Sequence, residues 1–100
     1  MPYKEVIKEE ARADIAEAMS YYASKSSGLD TRFFNEVAAT IKHILRNPFA
    51  FKKVYKNFRQ TSVRKFPYVI FYEPEGNNVI IYSVFNTWQH PAKKISRVKK

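Results

Sequence analysis

Tyr68-Val69-Ile70-Phe71-Tyr72-Glu73 is a near-continuous run of aromatic and β-branched residues. Pro74-Glu75-Gly76-Asn77-Asn78 follows it, and then Val79-Ile80-Ile81-Tyr82-Ser83-Val84-Phe85. A short apolar run bounded by turn residues reads as a strand buried on both faces. The Pro/Gly/Asn cluster reads as a hairpin turn, because those residues accept the backbone angles that a tight reversal needs. Tyr68–Glu73 is therefore a central strand, and Val79–Phe85 is its returning neighbour. Upstream, Thr61–Phe66 reads as a third strand.

Before residue 50 the apolar period changes from two to between three and four. Ala11, Ile15, Ala18, Met19 and Tyr22 recur at helical spacing and predict a helix over residues 9–25. Glu9 and Glu10 place negative charge in its first turn, where the helix dipole favours it. Ser24-Lys25-Ser26-Ser27-Gly28 breaks the pattern. Leu29, Phe33, Val37, Ile41, Ile44 and Leu45 then line the face of a second helix. Asp30 reads as its N-cap, with Leu29 and Phe34 as a hydrophobic staple. Asn47-Pro48 ends it, since proline disfavours helical geometry in the residue before it. Pro2–Ile7 reads as a first strand. The predicted order is β-α-α-β-β-β, an α+β fold with a helical hairpin on one face of a mainly antiparallel four-stranded sheet.

The 100 residues make one domain with a modest core. Hydrophobic content of 45% with 16% aromatic residues is globular. No apolar run approaches the length that crosses a bilayer, and charges interrupt the N-terminus where a signal peptide needs an apolar stretch. We therefore expect a cytoplasmic protein without a membrane partner. Cysteine is absent, which excludes disulfides and thiolate metal sites. Gly28 and Gly76 are the two glycines, too few for a phosphate-cradling loop. No metal and no cofactor are expected.

Charge is unevenly distributed. Residues 1–50 balance seven basic against seven acidic side chains, whereas residues 51–100 carry eleven Lys/Arg against Glu73 and Glu75. The net charge of +9 thus belongs to the second half. Such asymmetry points to one cationic surface and a polyanionic or acidic partner.

Several stretches together resemble a known family. They are Ala13-Asp14-Ile15-Ala16-Glu17-Ala18 with Tyr21-Tyr22, Gly28-Leu29, Arg32-Phe33 and Asn47-Pro48. Arg59 then precedes Phe66-Pro67-Tyr68-Val69-Ile70-Phe71-Tyr72, and Val84-Phe85 leads into a loop ending at Pro91. In order and spacing these resemble the RelE/ParE superfamily of toxins from type II toxin–antitoxin modules, and the ParE branch best. The resemblance covers Val6 to Pro91, so residues 1–91 are expected to form the toxin domain and 92–100 a basic tail. It implies a stress-response module in which an antitoxin holds the toxin inactive. ParE-type members are known for inhibiting DNA gyrase, whereas RelE-type members cleave mRNA in the ribosome.

The residues bear on that choice. Metal-free RNA cleavage needs a base, a cation to stabilise the phosphorane and an acid for the leaving oxygen. Arg59, Arg64 and Lys65 supply charge. The resemblance places a Tyr or His with an Arg after the last strand, and here Asn86-Thr87-Trp88-Gln89-His90-Pro91 contains neither Arg nor Tyr. His90 is the one acid/base candidate there, and it also reads as a turn residue before Pro91. His43, near the end of the second helix, reads as a partner of the helix dipole.

Trp88 reads either as an exposed anchor for a partner or as a cover for the sheet edge. Arg59 reads as a phosphate or antitoxin contact, or as the structural partner of a carboxylate such as Glu73. Arg64 and Lys65 belong to the working cationic face, and Lys52, Lys53 and Lys56 to a solvated loop. Lys93, Lys94 and Arg97 of the tail read as target-binding or simply solvated. Adjacent helical residues point about 100° apart, so Tyr21/Tyr22 and Phe33/Phe34 read either as pairs with one member outside the core or as a wide core stripe of a small protein. Exposed Tyr21 and Phe34 would line a groove covered by an antitoxin helix.

Three readings follow. The first is a ParE-like toxin that inhibits DNA gyrase by binding it, without chemistry of its own. The second is a ribosome-dependent nuclease using His90, Arg59, Arg64 and Lys65. The third is a family member that binds antitoxin without harming the cell.

Overall fold

The computed structural model describes residues 2–87. Its elements are β1 (Lys4–Ile7), α1 (Glu9–Lys25), α2 (Leu29–Arg46), β2 (Lys52–Tyr55), β3 (Phe58–Ser62), β4 (Tyr68–Glu75) and β5 (Asn78–Asn86). The sheet runs β1-β5-β4-β3-β2. β1 pairs with β5 in parallel, and every other pair is antiparallel. Because β1 and β2 occupy opposite edges, the helical hairpin between them must cross the sheet, and it covers one face.

The core lies in that interface. α2 contributes Phe33, Val37, Ile41 and Ile44 at spacings of three and four, and all are buried. α1 contributes Ala11, Ala18 and Tyr22, with Ile15 and Met19 partly buried beside them. The two small residues let α1 sit low on the sheet. From below come Ile70, Tyr72, Val79, Ile81 and Val84. Val79 and Ile81 are two apart, but Val84 breaks that alternation. A bulge resolves it: Phe71 pairs with Ser83 and Tyr72 with Ile81, so β5 carries an extra residue at Tyr82. The extra residue returns Val84 to the helix-covered face.

The helices match their expected spans, with one change at the start of α2. Gly28 adopts φ 82° and turns the chain alone, so Asp30 lies in the first turn and no side chain caps the helix. The sheet differs more. It has five strands where four were expected, because the lysine-rich segment read as a loop forms edge strand β2. β3 begins at Phe58 and ends at Ser62, earlier than the expected Thr61–Phe66. Lys65, at φ 70°, cannot continue a strand. Val63 is nevertheless buried and Phe66 packs on the core, so the turn carries an apolar pattern that imitates a strand. β4 runs through Pro74 to Glu75, and the turn shrinks to Gly76-Asn77. Gly76, at φ 61°, takes the first central position, where a type II′ turn places glycine.

Trp88, His90, Lys93, Lys94 and Arg97 lie outside the described residues, as do the expected boundary at residue 91 and the tail 92–100. Among the described residues no helix is long and apolar enough to cross a membrane.

Candidate partner-binding surfaces

The aromatic pairs divide as helical geometry requires. Tyr22 and Phe33 turn inward and join Phe66 and Tyr68, with ring centroids 5.0 to 6.2 Å apart. Their partners turn outward: Tyr21 is 54% exposed and Phe34 48%. Tyr21 rests edge-on against Tyr22 at 5.2 Å, and the Lys25 ammonium lies 5.1 Å from its ring centre. Tyr21 is thus an exposed ring flanked by Tyr22 and Lys25.

Phe34 borders an apolar groove of about 180 Å³. Ile7 of β1, Ile15 of α1, and Val37 and Ile41 of α2 line it, with Glu5 and Lys42 as its charged members. A half-exposed phenylalanine above aliphatic side chains suits the apolar face of an amphipathic helix.

A second cleft lies between α1 and the ends of β4 and β5. Asp14, Glu17, Ala18, Tyr21, Tyr68, Val84 and Asn86 line about 420 Å³. The Asp14 carboxylate, through Oδ2, accepts the Val84 backbone N–H at 3.0 Å. That bond ties α1 to β5 beyond Ile81, the last β5 residue paired with β1. Burial pushes the Tyr68 phenol pKa up, a hydrogen bond with the Asn86 side chain opposes this, and the charges of Glu17, Tyr21 and Asp14 push it further up. Both carboxylates are therefore felt at one hydroxyl. Sequence reasoning missed this cleft, because Asp14 and Val84 are 70 residues apart and nothing local joins them.

The cationic residues separate into two kinds. Lys52, Lys53, Lys56, Arg64 and Lys65 are exposed on and around the β2–β3 edge. Arg59 points to the fold instead. Its Nη1 donates to the Phe49 carbonyl at 3.1 Å and to the Phe51 carbonyl at 2.8 Å, and its guanidinium lies 5.1 Å from the Phe49 ring centre. Its cross-strand neighbour Tyr72 donates its hydroxyl to the Pro48 carbonyl at 2.6 Å. The pair pins the connection from α2 to β2. Arg59 Nε is buried without a hydrogen-bond partner. Glu73, the carboxylate anticipated for Arg59, instead accepts the Tyr82 hydroxyl at 3.1 Å.

Arg64 and His43 both line a cleft of about 250 Å³ between α2 and β3, with Glu36, Thr40, Phe51, Thr61 and Ser62. The structure thus places Arg64 on the same cleft as His43, and leaves Arg59 engaged elsewhere. On the sheet face away from the helices, Tyr55 stacks on Phe58 and Phe58 on Phe71, with Tyr82 edge-on to Phe58 at 5.4 Å. Lysines flank this row, Lys56 beside Tyr55 and Lys8 beside Tyr82. Among the described residues, no three His, Cys, Asp or Glu side chains gather as metal ligands.

Comparison with known proteins gives consistent matches. Residues 6–91 match the family model of the ParE toxin of type II toxin–antitoxin system, parDE. The chain is 32% identical over 79 residues to Toxin ParE2 of Mycobacterium tuberculosis strain CDC 1551 / Oshkosh, covering 78% of this chain and 75% of that protein. Toxin ParE2 of strain ATCC 25618 / H37Rv matches equally well. A solved structure, described as the chromosomal ParDE TA system from P. aeruginosa, superposes with a TM-score of 0.72 at 13% identity. It covers 84% of this chain and 95% of that one, which is a likeness of fold. With the family model matched from Val6 to Pro91 and relatives at this identity, the chain belongs to the ParE toxin family of type II toxin–antitoxin systems.

Proposed function

We propose that this toxin acts by binding DNA gyrase and blocking replication, and that a cognate antitoxin neutralises it by covering the helical hairpin. The family match over residues 6–91 carries the proposal. The antitoxin reading draws support from exposed Tyr21 and Phe34 and from the apolar groove beside Phe34. An acidic, partly disordered antitoxin segment would fold onto these residues, with the cationic excess of the chain attracting it. Arg59 enters this reading through the Pro48–Phe51 connection that it holds, rather than as a direct contact. Arg64 and Lys65 remain exposed for the target.

The nuclease alternative asks Arg59 to face a phosphate, whereas its Nη1 already serves two backbone carbonyls. The deciding experiment induces the chain alone in bacteria and pulse-labels DNA and protein synthesis at early times. DNA synthesis stopping first supports gyrase, and supercoiling by purified gyrase is then assayed directly. Protein synthesis stopping first overturns the gyrase reading in favour of mRNA cleavage. Normal growth with soluble folded protein points to the non-toxic family member. Co-expression with an adjacent acidic open reading frame tests neutralisation separately.

A further inference from the structure

From Asn47 to Tyr72 the chain contains no acidic residue but carries Lys52, Lys53, Lys56, Arg59, Arg64 and Lys65. Arg59 turns inward, and the other five are exposed along β2, β3 and the turns that flank them. At the opposite edge of the sheet, residues 4–17 of β1 and α1 hold five carboxylates against three cations. The two edge strands stand four strand spacings apart, about 19 Å. The molecule is therefore electrically polarised across its sheet, with the positive pole at the β2–β3 edge.

Guarding an edge accounts for Lys52 and Lys53, which lie in the strand itself. Lys56 and Lys65 lie in turns, and both hold left-handed backbone, at φ 49° and 70°. Glycine or asparagine would take those positions with less strain. A charged side chain kept at both, one at each end of β3, is backbone strain retained for what the charge does.

We propose that the β2–β3 edge binds the phosphate backbone of duplex DNA. The choice of DNA rests on the gyrase reading above, because gyrase acts on a duplex. Lysine is depleted at protein–protein interfaces, whereas ammonium groups suit a row of phosphates. The five residues of β3 span about 16 Å, a length over which one DNA strand presents about five phosphates. Lys56 stands at one end of that span, and Arg64 and Lys65 at the other. Consecutive Lys52 and Lys53 reach to opposite faces of the edge, so the edge itself is the contact. The Tyr55 ring stacks on Phe58 and has the Lys56 ammonium 5.4 Å from its centre. That ring is engaged within the protein, which favours phosphate contacts over the stacking of an unpaired base.

The test uses the intact chain and a short labelled DNA duplex of mixed sequence, with fluorescence anisotropy followed from about 50 to 200 mM NaCl. The dissociation constant should rise with salt, with a logarithmic slope of about 3 to 5. Lys56→Gly and Lys65→Gly should each lower that slope by about 1 and weaken low-salt binding several-fold, although both relieve strain and raise the urea midpoint. Loss of binding together with gain of stability marks a charge held for a ligand, since a purely structural lysine would move stability alone. Lys4→Gln and Arg12→Gln remove the same charge from the opposite side of the molecule and should leave the slope unchanged. Unchanged slopes in both glycine variants overturn the proposal. So does an equal drop in Lys4→Gln and Arg12→Gln, which would show that net charge alone attracts DNA. Tighter binding of single-stranded DNA of the same sequence overturns the duplex assignment. Gyrase is absent from this experiment, so its failure leaves the gyrase reading untouched. Failure of the supercoiling assay would leave the DNA affinity standing.

Discussion

Tyr72 illustrates how much one side chain controls. Its ring fills the core and its hydroxyl donates, still buried, to the Pro48 carbonyl. Tyr72→Phe leaves that carbonyl without its partner, and should lower unfolding free energy by about 1–2 kcal/mol in urea titrations at neutral pH. The same hydroxyl predicts an alkaline effect. Burial raises its pKa to about 12, against a small opposing pull from Arg59, and Tyr82 is raised to about 12 by burial and by Glu73. Both groups hold their protons longer in the folded state than in the unfolded one. Their contribution is complete below pH 10 and is lost as the pH rises from about 10 through about 12. Stability followed across that window should fall, and it should fall less steeply in Tyr72→Phe and in Tyr82→Phe. An identical slope in all three proteins would show that other groups govern alkaline unfolding.

At the scale of elements, two junctions carry strain or tension that substitution exposes. Lys56, between β2 and β3, and Lys65, before β4, adopt φ of 49° and 70°. A residue with a Cβ pays about 1 kcal/mol there, so Lys56→Gly and Lys65→Gly should each stabilise the fold by a few tenths to about 1 kcal/mol, read as a raised urea midpoint. Asp14→Ala should act in the other direction. It removes the acceptor of the Val84 N–H and should cost about 1–3 kcal/mol, while Asp14→Asn, which keeps an acceptor oxygen, should cost less. These junctions also explain which elements were legible. The helices announce themselves because apolar residues recur every three or four positions over 17 and 18 residues. β4 and β5 do so through near-continuous apolar runs. β2 hides because Lys52 and Lys53 lie on an exposed edge, where lysine guards against pairing with another chain and masks the strand pattern. β3 was displaced because Val63 and Phe66 bury themselves from within a turn. Helical geometry offered exposed rings as one of two readings, and the structure decides for it, whereas the cleft at Asp14 depends on a long-range pairing that no local pattern encodes.

For the whole molecule, what matters is the separation between surfaces that hold the fold and surfaces left for partners. Tyr22 and Phe33 are core, and replacing Phe33 with alanine should cost about 3–5 kcal/mol, enough to threaten folding. Tyr21 and Phe34 are their immediate neighbours in sequence and lie half in solvent. Truncating either to alanine removes little buried surface, so the urea midpoint should stay close to that of the parent chain. If the antitoxin covers the hairpin, each truncation instead removes an aromatic anchor and should weaken the complex by about 2 kcal/mol or more. The pair of measurements separates the two roles, because a core residue moves stability and binding together, whereas a docking residue moves binding alone. Calorimetric titration of the co-expressed antitoxin into each variant is the check. Unchanged affinity in both Tyr21→Ala and Phe34→Ala would place the antitoxin elsewhere on the chain, with the cationic β2–β3 edge as the next surface to substitute.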